Sequence, residues 1–270
     1  MAHFRVKITK NIEKIYPIED GMTIGREAKN QIQLLNTSVS RVHCKLLKKN
    51  NSFKIQDLGS SNGIRVNNIH VQEQLLAPGD VVQVGTMVLV FENDIFQEKL
   101  EFLDISQNPL TEEDLERLCR QERIAIQFNT SHKYVEEAVE IGERFLQSTT
   151  FDEMGQMALV MAFREAIGNA ERHGHKYEYD KIIKVVYENK PNYFSLCVED
   201  EGDGFDFHET LRKSREGDAV TAARERYQAG GMGGLGIRVM LKCVDKVIYY
   251  NKGSRLILVK YKPKEDKNEE

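Results

Sequence analysis

Residues 230–237 read GGMGGLGI and run straight into IRVMLKCV, an apolar stretch with the look of a helix. Glycine loses more conformational freedom on folding than any other residue, so such a cluster is costly unless the backbone needs that freedom. Directly before a helix it offers bare N–H groups at the positive end of the helix dipole, an arrangement that binds phosphates. Alone, the same run could equally be a flexible hinge. Its reading therefore depends on the segments upstream.

The first is EMGQMALVMAFREAIGNAERHG, read as a helix that Gly174 is placed to end. Met157, Ala158, Met161 and Ala162 are expected to form its apolar side, with Glu165 and Asn169 continuing that face because residues four apart stack. A carboxylate and a carboxamide on a core-facing stripe are expensive to bury without partners. The competing reading is that this end of the helix emerges into water. The second segment is YFSLCVED followed by EGDGF. Strand alternation puts Phe194, Leu196, Val198 and Asp200 on one face, and Gly202 and Gly204 permit close backbone approach. Taken by itself DEGDG is a strand-ending turn. Together the three segments describe a nucleotide site. In it Asp200 accepts a hydrogen bond from an adenine amino group, Asn169 holds a metal, the glycine loop wraps phosphates and Glu165 stands by as a base.

REAIGNAERHG, VEDEGDGFD and GGMGGLGI stand in the order and spacing of the three nucleotide-binding boxes of GHKL-type ATP-binding domains, which this chain resembles over 128–261. The resemblance implies Asn169 as the magnesium-coordinating residue, Asp200 as the adenine-binding residue and Glu165 as the general base. It implies that Gly202 and Gly204 are the glycines of the second box, and that Gly231, Gly233, Gly234 and Gly236 are the phosphate-lid glycines. ATP and Mg2+ are the cofactors that follow.

The first half has a different period. HFRVKIT, FKIQDL, DVVQVG and MVLVFE are short strands separated by EDG, KKNN, GSSNG and APGD, the pattern of an all-β sandwich. Three motifs, TIGRE, SVSRVHCKL and DLGSSNGIRVNN, sit at strand ends, so their polar residues can gather on loops at one end of the sandwich. Arg26 and Arg41 offer forked donors suited to a phosphate, and Ser40, Ser61 and Asn62 add neutral hydrogen bonds. Singly, either arginine reads as a solvated loop residue, and His43 as a core histidine bonding neighbouring loops. As a set they resemble the forkhead-associated (FHA) domain, a reader of phosphothreonine peptides. The resemblance implies that Arg26, Ser40, Arg41 and Ser61 contact the phosphate, that Asn62 holds the peptide backbone, and that Gly25 and His43 shape the loops. Ile64 departs from the Thr common in the family after NG.

The expected fold is thus two-domain: an all-β, FHA-like sandwich over 1–96, a linker with a short helix over 97–127, an α/β two-layer ATP-binding sandwich over 128–262, and a charged tail over 263–270 that reads as disordered. Within the linker, TEEDLERLCRQE opens with a capping-box pair, Thr111 and Asp114. Length and composition agree: 270 residues, 30% charged and 40% hydrophobic, suit a globular two-domain chain. A net charge of −4 offers no basic footprint for nucleic acid. Four scattered cysteines without metal-ligand spacing read as reduced thiols. Without an apolar signal core or membrane-length run, the expectation is a cytoplasmic protein with no membrane partner.

Between 96 and 128 there is no His and room for only one short helix, unlike the phosphoacceptor hairpin of histidine kinases. The compact form resembles the anti-sigma-factor serine/threonine kinases. This implies transfer of phosphate to a Ser or Thr of an anti-anti-sigma-like or sigma-like protein, and a tendency to form homodimers. The stretch 207–229, with Arg224 and Arg226, reads either as a mobile lid or as a solvated loop. A signalling kinase that also captures a phosphothreonine-containing protein, a non-catalytic ATP-gated adaptor and a simple ATPase are the readings carried forward.

Overall fold

The computed structural model describes residues 2–50, 52–93, 100–204, 234–250 and 253–263. The chain divides into two compact units, Met1–Lys99 and Leu100–Glu270. The expected lid, Gly231, Gly233 and the tail from 264 onward lie outside the described residues.

In the first unit β1 (Ala2–Lys7), β2 (Ile12–Pro17), β3 (Thr23–Gly25), β4 (Ile32–Gln33), β5 (Cys44–Lys49), β6 (Ser52–Asp57), β7 (Ile64–Val66), β8 (Ile69–Val71), β9 (Glu73–Leu75), β10 (Val81–Val84) and β11 (Met87–Asn93) build two facing sheets. One runs β2-β1-β11-β10-β7-β8 and the other β4-β3-β5-β6-β9. Alternation sends Phe4 and Val6, Leu46, Phe53 and Ile55, and Leu89 and Phe91 into the shared core. Phe4 and Phe53 each meet Phe91 edge-on, at 5.9 and 6.5 Å between ring centres. Ile64 is fully buried in this core, which explains why an apolar residue stands there.

In the second unit β12 (Leu103–Asp104), α1 (Glu112–Cys119), β13 (Arg123–Asn129), α2 (His132–Leu146), α3 (Glu153–Asn169), a wider π-type turn (Ala170–Gly174), β14 (Ile182–Asn189), β15 (Tyr193–Glu199), α4 (Gly234–Cys243), β16 (Lys246–Tyr250) and β17 (Arg255–Tyr261) follow in order. The strands form a sheet in the order β12-β13-β14-β15-β17-β16, antiparallel throughout except for β12 on β13. Helices pack on the face carrying Phe128, Val185, Tyr187, Phe194 and Leu196, all buried. Phe163 of α3 stacks on Phe194 at 5.8 Å, and Phe145 of α2 meets the same ring at 5.6 Å. Tyr187 donates from its hydroxyl to the Ala138 carbonyl at 2.6 Å, beneath Gly142, where a Cβ would strike the ring. The molecule is therefore a β-sandwich followed by an α/β two-layer unit.

Thr111 and Asp114 do form a reciprocal capping box at α1. From Leu100 onward the stretch read as a linker belongs to the second unit, because β12 pairs with β13, and β13 itself begins at Arg123. The phase read for α3 needs correction. Met157 and Met161 are 67% and 54% exposed, whereas Leu159, Ala162, Phe163, Ala166 and Ile167 are buried. The buried stripe is centred about 140° round the helix from the one expected, with Ala162 common to both. Glu165 and Asn169 consequently sit at the margin of the buried face, half-buried rather than in the core. No described helix is long and apolar enough to cross a membrane.

Candidate functional site

The last two turns of α3 supply the first wall of a cavity in the second unit. Glu165, Asn169 and Arg172 follow at helical spacing. Arg172 donates from Nη2 to Asn169 Oδ1 at 3.1 Å and lies 3.5 Å from Glu165 Oε2. Burial pushes the Glu165 carboxyl above its ordinary range, and Arg172 and Asn169 pull the other way. The first turn of α4 closes against this carboxylate: a Cβ on Gly236 would overlap Glu165 Oε1. Bare backbone at that position is what lets the helix N-terminus approach the carboxylate.

Asp200 forms the opposite wall. It continues β15 past Val198, and its own N–H donates to the Ser254 carbonyl at 2.9 Å. Its carboxylate accepts from Gly202 N–H at 2.8 Å. A Cβ on Gly174 would stand 2.5 Å from Asp200 Oδ1, and one on Gly202 would stand 2.7 Å from Gly174 Cα. The end of the π-type turn thus lies directly on the loop after Asp200, a contact only two glycines permit. Burial pushes the Asp200 carboxyl up to about 6, helped by Glu199 and opposed by Gly202 N–H and Lys181. Between the walls Ala166, Val198, Ile237, Met240 and Leu256 line an apolar floor, with Asn169, His173, Asp200 and Gly204 at its rim. An apolar cavity with one half-buried carboxylate and a few polar groups suits an aromatic heterocycle.

In the first unit Arg26, Ser40, Arg41, Ser61 and Asn62 line one open depression, together with Lys29, Thr37 and Ser38. Its shape is fixed from beneath. Buried His43 accepts from Ser40 N–H at Nδ1 (3.1 Å) and donates from Nε2 to the Gly63 carbonyl (3.0 Å). Ser40 Oγ accepts from Ser61 N–H at 3.1 Å, and Asn62 donates to the Ser38 carbonyl at 2.7 Å. Gly25 has the Asn30 amide and the Val42 backbone within 3 Å of where a Cβ would sit, so the loop bearing Arg26 packs flat on the next. Arg26 is anchored through Nε to the Val39 carbonyl at 3.3 Å. Arg41 is 79% exposed and 3.9 Å from Glu27.

The family described as FHA domain matches residues 22–85. The family described as histidine kinase-like ATPase domain matches residues 128–260. The chain joins an FHA domain to a histidine kinase-like ATPase domain. The FHA part is 43% identical over 67 residues to the glycogen accumulation regulator GarA of Mycobacterium tuberculosis, covering 25% of this chain and 41% of that protein. It is 39% identical over 69 residues to the oxoglutarate dehydrogenase inhibitor of Corynebacterium diphtheriae, covering 26% and 48%. The chain thus spans less than half the length of these curated relatives. Among solved structures, the FHA domain of FhaA, complexed with the intracellular domain of Rv3910, is 31% identical, with a TM-score of 0.32, covering 34% of this chain and 100% of that one. The FHA domain of CT664 from Chlamydia trachomatis is 28% identical, with a TM-score of 0.33, covering 34% and 97%.

In the ATPase domain the structure brings Asn169, Asp200 and Gly204 to one cavity, while Gly202 lies against Gly174 and Asp200, and Gly236 lies against Glu165, with α4 starting at Gly234. Sequence reasoning missed Arg172, which helical spacing from Glu165 and Asn169 could have found. It also missed the apolar floor and His173. In the FHA domain it missed Lys29, Thr37 and Ser38, which carry no motif of their own.

Proposed function

We propose that the ATPase domain binds Mg-ATP and phosphorylates a Ser or Thr of a regulatory partner, while the FHA domain captures a phosphothreonine-containing protein. The observation that supports the first half is the meeting of Asn169 and Asp200 on one cavity, with Gly174 against Asp200 and, one helical turn before Asn169, Gly236 against Glu165. Asp200 would accept from the adenine amino group, the apolar floor would sandwich the ring, and the α4 N-terminus would face the phosphates. Asn169 offers one hard oxygen. Mg2+ ordinarily draws most of its ligands from substrate phosphates and water, so a single protein oxygen fits it. Bound there, Mg2+ would neutralise charge on the phosphates. Glu165, with its proton affinity raised by burial, suits a general base. It would take the proton of the acceptor hydroxyl as that oxygen bonds to the γ-phosphorus and ADP leaves.

The FHA half rests on the depression that brings Arg26 and Arg41 together with Ser40 and Ser61. A phosphate carrying nearly two charges pairs with such a cluster. The FHA family match supports a phosphothreonine peptide as the ligand class, and an anti-anti-sigma-like or sigma-like protein is the partner expected for the kinase. A homodimer, binding of no nucleic acid and a cytoplasmic location complete this reading.

The test is labelled ATP with magnesium and candidate partner domains, comparing wild type with Glu165→Ala and Asn169→Ala. Label appearing in a partner, and disappearing in both variants, is expected. Nucleotide binding with no transfer to any partner would favour an ATP-gated adaptor, and steady phosphate release without a partner would favour a simple ATPase.

A further inference from the structure

His175 is fully buried and belongs to neither nucleotide-facing wall, yet its ring ties three segments of the ATPase domain together. Its Nε2 accepts from Glu201 N–H at 2.7 Å, the amide immediately after Asp200. A backbone amide can only donate, so the ring's proton is on Nδ1 and is given to Thr130 Oγ1 at 2.5 Å. Thr130, just past the end of β13, passes its own hydroxyl proton on to the Lys181 carbonyl at 3.1 Å. The backbone N–H of His175 closes the π-type turn on the Ala170 carbonyl at 2.8 Å, one residue beyond Asn169. One neutral imidazole therefore spans the turn that follows Asn169, the loop that follows Asp200 and the start of the α2 connection.

The chain adopts an unfavourable shape to put the ring there. Lys176 and Tyr177, the two residues that follow, both have left-handed backbones, with φ of 52° and 64°. Consecutive non-glycine residues in that conformation persist only where surrounding contacts over-determine them, and such strain gathers at functional sites. Here Tyr177 N–H donates to the Glu171 carbonyl and Glu178 N–H to the His175 carbonyl, both at 3.0 Å. The π-type turn itself is a rare geometry that recurs at functional sites.

We propose that His175 is a positioning residue of the nucleotide site: its unprotonated Nε2 holds the Glu201 amide, and through it the Asp200 carboxylate, in the orientation that accepts the purine. The inference rests on the nucleotide reading above and adds its dependence on one uncharged ring. A second proton on Nε2 would face the Glu201 N–H donor to donor and push the loop away from Gly174. Burial holds the imidazole below its ordinary titration range. Lys181 pushes the same way, and Glu201 and Glu178 push against it. Glu171, on the π-type turn, lies 3.7 Å from His132, on α2. The neutral ring is thus the working form at neutral pH, and it is lost as pH falls through the lowered value.

The test measures ATP affinity in magnesium buffer for the full chain and for His175→Gln and His175→Leu, from pH 5 to 8. A Gln oxygen can accept from Glu201 N–H without titrating, whereas Leu leaves that buried donor unpaired. At pH 7.5 the Leu variant should bind about tenfold or more weakly and the Gln variant within about threefold of wild type. Asp200 and the phosphates of ATP titrate in every variant, so the difference in slope of log affinity against pH isolates His175. That slope should be steeper in wild type than in His175→Gln on the acid side, where the ring of wild type takes up a proton. Equal slopes, or full affinity in a folded Leu variant, would overturn the proposal. Should the Leu variant fail to fold, the slope comparison decides. No binding by wild type would overturn the nucleotide reading, and this inference with it.

Discussion

Asp200, the proposed purine acceptor, shows how a single half-buried carboxylate can oppose folding. Its carboxyl is pushed up to about 6 because it is half-buried beside Glu199, with Gly202 N–H and the more distant Lys181 as compensation. Since the folded state raises this value above that of an unfolded Asp, the stability linked to the protonated form is present in acid and lost as pH rises through 6. At pH 7.5 Asp200→Asn should therefore stabilise the ligand-free protein, by about 1 kcal/mol once solvent screening at a partly exposed group is allowed for. Melting temperature should rise by about 2–4 °C in the ATPase domain. The same variant should lose ATP affinity, because the amide cannot both keep the Gly202 contact and present a charged acceptor to the purine. Thermal melts across pH check the sign: the gap between variant and wild type should close below about pH 4. Asp200 was legible because its alternation with Val198, Leu196 and Phe194 is a local pattern. His175 was not, because its partners Thr130 and Glu201, and Lys181 whose carbonyl holds Thr130, are scattered along the chain and meet only after folding.

At the scale of elements, α3 marks where sequence patterning is ambiguous. Two stripes with helical period run along it. One passes through Met157 and Met161, the other through Leu159, Phe163, Ala166 and Ile167. Period alone cannot say which faces the sheet. The sheet decides, because Phe194 and Tyr187 offer a surface that Phe163 fills at 5.8 and 5.4 Å. Phe163→Ala should cost about 3–5 kcal/mol by chemical denaturation. Met161→Gln, by contrast, should change stability by less than about 0.5 kcal/mol. The reverse ranking would contradict the packing described for α3. Strands such as β1, β6, β10, β11 and β15 and the capping box of α1 were readable in advance, since alternation and cap chemistry are properties of a few neighbouring residues, whereas β12 and β13 were read as linker. The π-type turn was not, because a wider turn differs from an α-helical ending only through contacts such as Gly174 on Asp200.

For the whole molecule, two families of short motifs told the fold class, and their residues meet in two separate depressions. The FHA motifs place Arg26 over a floor held by His43, and the ATPase motifs place Asp200 against Gly174. Arg26→Ala should lower phosphothreonine-peptide affinity by at least about tenfold, the usual worth of a charge-assisted contact, with ATP affinity unchanged. Peptide capture surviving that change would contradict the phosphate site. The measurement that bears most directly on the central claim is calorimetric titration of wild type and Asp200→Ala with ATP in magnesium buffer. Saturable heat at one site per chain in wild type, absent from the variant, is the expected result. No heat with ATP or ADP in wild type, or equal heat in both proteins, would contradict it.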